Sequence, residues 1–329
     1  MPGIRQAVYV LLERKVRMKR STLLALAVPY LMAVPGMVLA GTPTYNLTTL
    51  NYPGAISTEI YGISGSTILG SYYDGSAWHG FIDAAGTYST LDGPGSNHTR
   101  VYGMSGNTIV GDYNNSTNTT THGFTYNTTT SSFSTMDEPN ANPGYGGTYF
   151  TGISGGTVVG CYTDGIGDHH GFIWNGSNYT NVDNPSAYNS YAYGTFVTSI
   201  SGGNIAGYYF NGSTYYGFID TAGSFTPVVV PGAASMTVTG ISGSDVVGNF
   251  YDGSAWHGYT ESGGVYTTVD VPNAAWTNAS AIDGSTIAGV YSDGTNEHGF
   301  VATLAPEPAS LTLLVLGGAG LMARRKRSA

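Results

Sequence analysis

Cysteine is nearly missing from this chain: Cys161 stands alone among 329 residues. An intrachain disulfide is therefore excluded, and with it the small stapled scaffold common among secreted domains. Charge is scarce as well, at 9% of residues, and basic charge is missing from the middle. Arg5, Arg14, Lys15, Arg17, Lys19 and Arg20 lie at the beginning, Arg324, Arg325, Lys326 and Arg327 at the end, and Arg100 alone between them. Residues 41–303 set that one base against 18 acids, a formal charge of −17. Nucleic-acid binding requires clustered Lys and Arg to displace counterions, so nucleic acid is excluded as a partner, and anionic lipid headgroups would repel the same surface.

What is abundant points to strands and turns. Gly (49), Tyr (26), Thr, Ser and Asn dominate, while helix-forming Lys and Glu are few. Such a composition suits an all-β domain with many tight turns. About 260 residues can bury a core large enough to hold one domain without disulfides.

The two ends read as addresses. Lys19 and Arg20 precede an apolar run from Leu23 to Leu39, and Val38-Leu39-Ala40 places small residues before Gly41. This is the pattern of a secretory signal peptide over residues 1–40, cleaved after Ala40 by signal peptidase, with translation expected to start at Met18. The competing reading is an uncleaved membrane anchor. At the other end, residues 304–329 contain Pro306-Glu307-Pro308, an apolar segment over 309–323 and the basic cluster Arg324-Arg325-Lys326-Arg327. This tail is similar to the PEP-CTERM sorting signal over residues 306–327. The resemblance implies export in a Gram-negative bacterium, sorting by an exosortase-type membrane protease, a place at the cell surface or in the extracellular matrix, and an association with extracellular polysaccharide. The apolar stretch fits a short, transient membrane anchor. It offers 13 apolar residues, or 15 with Ala309 and Ser310, against the ~20 that a stable spanning helix needs. A tail that is never processed would remain as a plain anchor.

Between the ends one unit recurs six times. Gly62-Ile63-Ser64-Gly65 returns as Gly103-Met104-Ser105-Gly106, Gly152-Ile153-Ser154-Gly155, Ser199-Ile200-Ser201-Gly202, Gly240-Ile241-Ser242-Gly243 and Ala281-Ile282-Asp283-Gly284, at spacings of 41, 49, 47, 41 and 41 residues. His-Gly-aromatic follows in each as His79-Gly80-Phe81, His122-Gly123-Phe124, His170-Gly171-Phe172, His257-Gly258-Tyr259 and His298-Gly299-Phe300, with Tyr216-Gly217-Phe218 as the departure. These repeats resemble the extracellular HAF-type repeats, with glycine standing where that family's name has alanine. The first unit parses into strands over 60–64, 67–73, 79–83 and 88–92. Four strands every 40 to 50 residues predict a six-bladed β-propeller over 41–303. The sixth unit lacks the Asp-x-Pro-like end of its fourth strand, and an orphan copy, Thr49-Leu50-Asn51-Tyr52-Pro53, precedes the first. That segment is expected to supply the missing strand and fasten the ring, removing two exposed sheet edges.

For chemistry, the repeated His with a repeated Asp nearby reads as a hydrogen-bonding bracket within each blade, since equivalent residues of different blades stand too far apart to share a metal. Asp-Gly pairs at Asp74, Asp164, Asp252 and Asp293 are turn elements. They are where calcium would sit in so acidic a domain, but no Asp-x-Asp-x-Asp ladder is present, so no cofactor or metal is assigned. Cys161 reads as a buried, inert thiol. The non-repeated Glu59, Glu138, Glu261, Glu297, Asp168, His169, Arg100 and Cys161 show no spacing that argues for catalysis. The expected ligand surface is instead one face of the disc, with Trp78, Tyr145, Tyr149, Tyr188, Tyr191, Tyr193, Trp256 and Trp276 on its loops, where rings would stack on sugar C–H faces. Packing of those rings over the disc is the plainer alternative. Function is therefore expected to be non-catalytic binding of extracellular polysaccharide or a surface protein. The alternative is a secreted glycan-active hydrolase or lyase, which two non-repeated carboxylates about 5–10 Å apart in the channel mouth would favour. An ice-binding Thr array would need a regular spacing that 41–49 residues does not give.

Overall fold

The computed structural model describes residues 44–115, 120–190 and 192–305. The predicted signal peptide and sorting tail, with its segment over 309–323, lie outside the described residues. Those described form 24 strands and no helix.

After β1 (Tyr45–Leu50), the strands fall into six antiparallel groups. The first is β2 (Ser57–Ser64), β3 (Thr67–Tyr73), β4 (Trp78–Ala84) and β5 (Thr87–Thr90). The second is β6 (Ser96–Ser105), β7 (Thr108–Asn115), β8 (Thr121–Asn127) and β9 (Ser132–Met136). A single parallel bridge, Trp78 to His98, joins these two groups into one hydrogen-bonded sheet. The third is β10 (Thr148–Ser154), β11 (Thr157–Thr163), β12 (His169–Trp174) and β13 (Tyr179–Asn181), and the fourth is β14 (Thr195–Ser201), β15 (Asn204–Phe210), β16 (Tyr215–Thr221) and β17 (Ser224–Val228). The fifth comprises β18 (Ser235–Ser242), β19 (Asp245–Tyr251), β20 (Trp256–Ser262) and β21 (Val265–Thr268). The sixth has β22 (Trp276–Asp283), β23 (Thr286–Ser292) and β24 (Glu297–Leu304) and is completed by β1.

The orphan N-terminal segment does pair with the last unit, one half-strand earlier than the sequence suggests. Tyr45 to Leu50 align with Leu304 to Gly299, whereas Asn51 and Tyr52 lie beyond the strand. Tyr52 stacks on Tyr72 of the first group at 3.7 Å between ring centroids. It therefore serves the group that follows, not the one it was expected to complete.

Two motif residues show why the repeat is conserved from unit to unit. The glycine of Ile-Ser-Gly takes a left-handed φ between +57° and +63° at all six turns between first and second strands, which L side chains adopt only with strain. The serine before it caps the next group's turn: Ser105, Ser154, Ser201 and Ser242 accept the backbone N–H of Gly155, Gly202, Gly243 and Gly284, and Asp283 accepts that of Gly65. The His-Gly-Phe glycine marks a close approach. A Cβ on Gly171 would lie 2.5 Å from the Val182 carbonyl oxygen and 2.6 Å from Val197 of the next group.

The core is divided among the junctions between groups. Phe81, Phe124, Phe172, Phe218 and Phe300 are fully buried, with Tyr259 as their counterpart in the fifth group. Leu69 packs with Val101 and Phe124, Val110 with Phe150 and Phe172, Val159 with Val197 and Phe218. Ala206 packs with Val238 and Tyr259, and Val247 with Ala279 and Phe300. The sixth cluster joins the last group to the first, with Ala288 against Ile60, Ile68 and Phe81. Burying a large apolar side chain contributes about 1.5–3 kcal/mol, so each junction is a substantial part of the stability.

Candidate functional site

All six groups meet around a cavity of about 580 Å³. Local backbone geometry decides what faces it. Each first strand carries a β-bulge at the same place, leaving Tyr61, Tyr102, Thr151, Thr198, Thr239 and Ser280 outside the ladder register. A bulge re-aims the side chain it frees, and all six line the cavity. Thr151, Thr198 and Thr239 turn their hydroxyls onto Val197, Val238 and Ala279 carbonyls of the next group, at 2.7–2.9 Å. A narrower polar space of about 180 Å³ continues past these six residues among the Ile-Ser strand ends.

Two residues before each bulge stands the most varied position of the repeat: Glu59, Arg100, Tyr149, Phe196, Thr237 and Asn278. Directly across the ladder stand Ser71, Asp112, Cys161, Tyr208, Asn249 and Val290. The frame is thus constant and the innermost chemistry differs in every unit. Glu59, Tyr149, Phe196 and Asn278, with Cys161, Tyr208, Asn249 and Val290 opposite, line the cavity together with His169, Trp276 and Glu297.

Two of the non-repeated acids come together here. The Glu59 and Glu297 carboxyls hydrogen-bond to each other, and Tyr61 Oη donates to Glu59. Burial, followed by the bond to Glu297 and its charge, pushes the Glu59 carboxyl well above the usual carboxylate range, against a weaker opposing pull from Arg100. Glu59 is therefore largely protonated at neutral pH. Arg100 donates from Nε to Asp112 Oδ1 at 2.9 Å, with Asp112 fully buried, and its guanidinium lies 5.9 and 5.8 Å from the Tyr102 and Tyr149 ring centroids. Burial pushes the Cys161 thiol up to about 12 and pulls the His169 imidazole down, so neither is ionised near neutrality. The inert-thiol reading of Cys161 thus agrees with its surroundings.

The repeated histidines form the expected brackets away from the cavity. Nδ1 of His79, His122, His170 and His257 meets Asp92, Asp137, Asp183 and Asp270 at 2.7–2.8 Å. On the other ring nitrogen stand Asp74 at 3.3 Å, Asp164 at 3.6 Å and Asp252 at 3.3 Å for His79, His170 and His257. Hydrogen bonds to Asp183 and Asp270 raise the pKa of His170 and His257 over the cost of burial. His298 keeps Asp293 at 3.2 Å but takes Asn51 as its Nδ1 partner, so the bracket of the sixth group is completed from the N-terminal segment. The Asp-Gly loops are turns, as expected: Asp74 and Asp252 accept from the N–H groups of Ala77 and Ser76, and of Ala255 and Ser254, which holds both carboxyls far below the usual range.

The aromatic residues anticipated on loops separate into several places. Tyr149 and Trp276 line the cavity, from strands β10 and β22 and not from loops. Trp78 and Trp256 also begin strands, Trp78 packing on Tyr73 and His98 and Trp256 on Tyr251. The strand starts extend further than the sequence suggested because the first and third strands pair one to three residues beyond the apolar pattern. Tyr193 stacks on Phe210 at 4.1 Å, while Tyr145 and Tyr188 are half exposed. Tyr191 lies outside the described residues. The sequence reading missed the bulge ring, the contributions of Phe196 and Tyr208, and a set of buried threonines. Thr58, Thr99, Thr148, Thr195 and Thr277 each accept the N–H of the residue where the chain leaves the fourth strand. Their signal was available, since each stands five residues before the Ile or Met of the repeat.

No protein-family model matches the chain, and no curated protein matches it in sequence. Solved structures do. A TolB-type protein from Agrobacterium tumefaciens superposes with a TM-score of 0.50 at 12% identity, over 80% of this chain and 99% of that one. The β-propeller domain of the Trilobed protease from Pyrococcus furiosus gives 0.47 at 9%, over 75% and 94%. An exported protein from Bacteroides fragilis gives 0.48 at 7%, over 80% and 96%. At such identities the likeness to the Agrobacterium protein bears on the fold alone: the chain is an all-β protein of the β-propeller kind.

Proposed function

We propose that this chain is an exported, non-catalytic binding protein, a six-bladed β-propeller closed by β1, which holds saccharide in its central cavity. Closure is supported by the β1–β24 ladder, by the Asp283 bond to Gly65 and by the core cluster between the last and first groups. Export through a signal peptide and sorting through a PEP-CTERM tail rest on the sequence of the two ends. For surface material from a Gram-negative host carrying an exosortase, N-terminal sequencing should begin at Gly41 and the intact mass should lack the basic tail.

One observation carries the binding reading: a repeated frame places Glu59, Tyr149, Phe196 and Asn278 at equivalent inner positions of four units, and the result is a cavity of aromatic rings, hydroxyls, amides and carboxyls. Rings that stack on sugar faces beside polar groups that bond hydroxyls are what saccharide recognition requires. Titration of the purified protein against a glycan panel should find a ligand, and Trp276→Ala should weaken it at least tenfold while Trp256→Ala leaves it unchanged. Binding indifferent to Trp276 would remove the cavity from consideration.

A hydrolytic reading has the convergence of Glu59 and Glu297 in its favour. Against it stands the bond to Glu297 that helps to hold Glu59 protonated, whereas two catalytic carboxyls must flank a glycosidic bond at roughly 5–9.5 Å. Release of reducing ends that Glu59→Gln abolishes would reverse that judgement.

A further inference from the structure

The cavity has more acceptors than partners for them. Asn249 is 8% exposed, lines the cavity, and its Oδ1 has no hydrogen-bond partner among the described residues. Asp112 Oδ2, across the ladder from Arg100 and behind the lining residues rather than among them, is also buried without one. The Glu59 and Glu297 carboxyls have each other and the Tyr61 hydroxyl. Arg100, the one Lys or Arg of the domain, is engaged by Asp112. The group that would satisfy this set is a donor and a cation. Aromatic walls favour the same charge, since the ring quadrupole presents its negative face, and Tyr149, Tyr208 and Trp276 supply such walls. At long range, 18 acids against one base draw cations and repel anions.

We infer that the cavity takes a primary ammonium group, held between Glu59 and Glu297 with Asn249 as a further acceptor. This rests on the saccharide reading and narrows it: the ligand is an amino sugar with its amine free, and a neutral or N-acetylated sugar lacks the group the site is built to receive. The charges balance through the proton on Glu59: the entering ammonium replaces it as counter-charge, and that proton leaves to solvent. The charged and titratable groups facing Glu59 are Glu297 from β24, Arg100 and Tyr102 from β6, and Tyr61 on its own strand. Arg100 is already paired by Asp112 and burial keeps the Tyr102 hydroxyl neutral, so the Glu59 carboxyl and the ligand decide the titration. Affinity rises with pH up to the amine's own titration, levels off above it, where the proton passes from Glu59 to the amine, and falls once Glu59 is ionised.

Calorimetric titration of the purified protein with a β-1,4-glucosamine tetramer, its fully N-acetylated counterpart and an end-blocked lysine peptide tests this. At pH 5.5, where the amine enters protonated, the amine-bearing tetramer should bind at least tenfold more tightly than the acetylated one, with about one proton released per site, read from two buffers of different ionisation enthalpy. Glu297→Gln should remove that preference. The comparison of ligands on the unaltered protein needs no variant, so a misfolded variant does not blunt it. Equal binding of both tetramers overturns the ammonium site and leaves the saccharide reading standing. Tight binding of the lysine peptide alone keeps the ammonium site and overturns the saccharide. Binding of none of the three overturns both.

Discussion

The outer brackets and the inner ring are built from equivalent positions of one repeat, yet they have diverged in opposite ways. At the outer site His79, His122, His170 and His257 meet an aspartate with nearly the same geometry each time. At the inner site Glu59, Arg100, Tyr149, Phe196, Thr237 and Asn278 share nothing but their backbone place. Repetition in a solenoid or propeller is the mark of a frame, because each unit must solve the same packing problem. Chemistry directed at one ligand needs different groups at one point, and a ring of identical residues cannot supply them. The histidines that first attract attention serve the frame, and the positions without pattern are the candidates for the site.

That division can be broken first at the frame, where the largest effect is expected. Phe172 is fully buried between the second and third groups. Phe172→Ala should cost about 3–5 kcal/mol in denaturant unfolding while a ligand, when one binds, is still held with unchanged affinity in the folded fraction. A comparable loss from Trp276→Ala, with its stability cost larger than its binding cost, would erase the distinction between frame and site.

The brackets should respond next, with a pH signature. The folded pKa of His170 is raised, so its contribution is complete below the unfolded value near 6.5 and fades as pH rises through the folded value. His170→Ala is expected to lower Tm by about 2–4 °C at pH 5.5, corresponding to about 1 kcal/mol. The deficit should shrink at pH 8.5 to what the stacking on Tyr162 provides. A deficit that does not change with pH would mean that the imidazole acts as a neutral spacer.

At the inner ring the sign is reversed. The Glu59 carboxyl is held protonated, so it imposes no penalty at low pH and opposes folding as pH climbs above the ordinary carboxylate range. Glu59→Gln should change little at pH 4.5 and raise Tm by about 2–4 °C at pH 8.5, roughly 1 kcal/mol. A residue whose removal stabilises the fold is one retained for another reason, and destabilisation at both pH values would place Glu59 in the frame instead.

Much of the frame was legible because it is periodic. The second strand of the first unit, 67–73, coincides with β3, and the bracket follows from a histidine and an aspartate 13 residues apart. The seam was legible in kind but misplaced, because Tyr52 copies the local sequence of a fourth strand while its ring is held by Tyr72 of the next group. The cavity was not legible. Its residues lie some 40 residues apart, share no motif, and converge only through tertiary packing and a bulge that no propensity marks. The tryptophans were assigned to loops for a related reason: ladder pairing at the strand starts extends past the apolar alternation that marks a strand.

The fourth group offers the smallest effect and the sharpest test of the bracket. It carries Tyr216 where the other five have His and Val229 where the first, second, third and fifth have Asp, so both partners are replaced together, while Tyr216 keeps against Tyr209 the ring contact that the histidines make with the equivalent aromatic. Tyr216→His with Val229→Asp rebuilds the pair. A double-mutant cycle at pH 5.5 should give a favourable coupling of about 0.5–1 kcal/mol that disappears by pH 8.5. The value belongs at the low end, because Asn211, whose Oδ1 holds the turn at Ser213 and Thr214, stands where the first, third, fifth and sixth groups place a second carboxylate. If no coupling is found, the histidine depends on both aspartates at once. Adding Asn211→Asp to the pair should then restore the coupling, which would make the bracket a three-residue device.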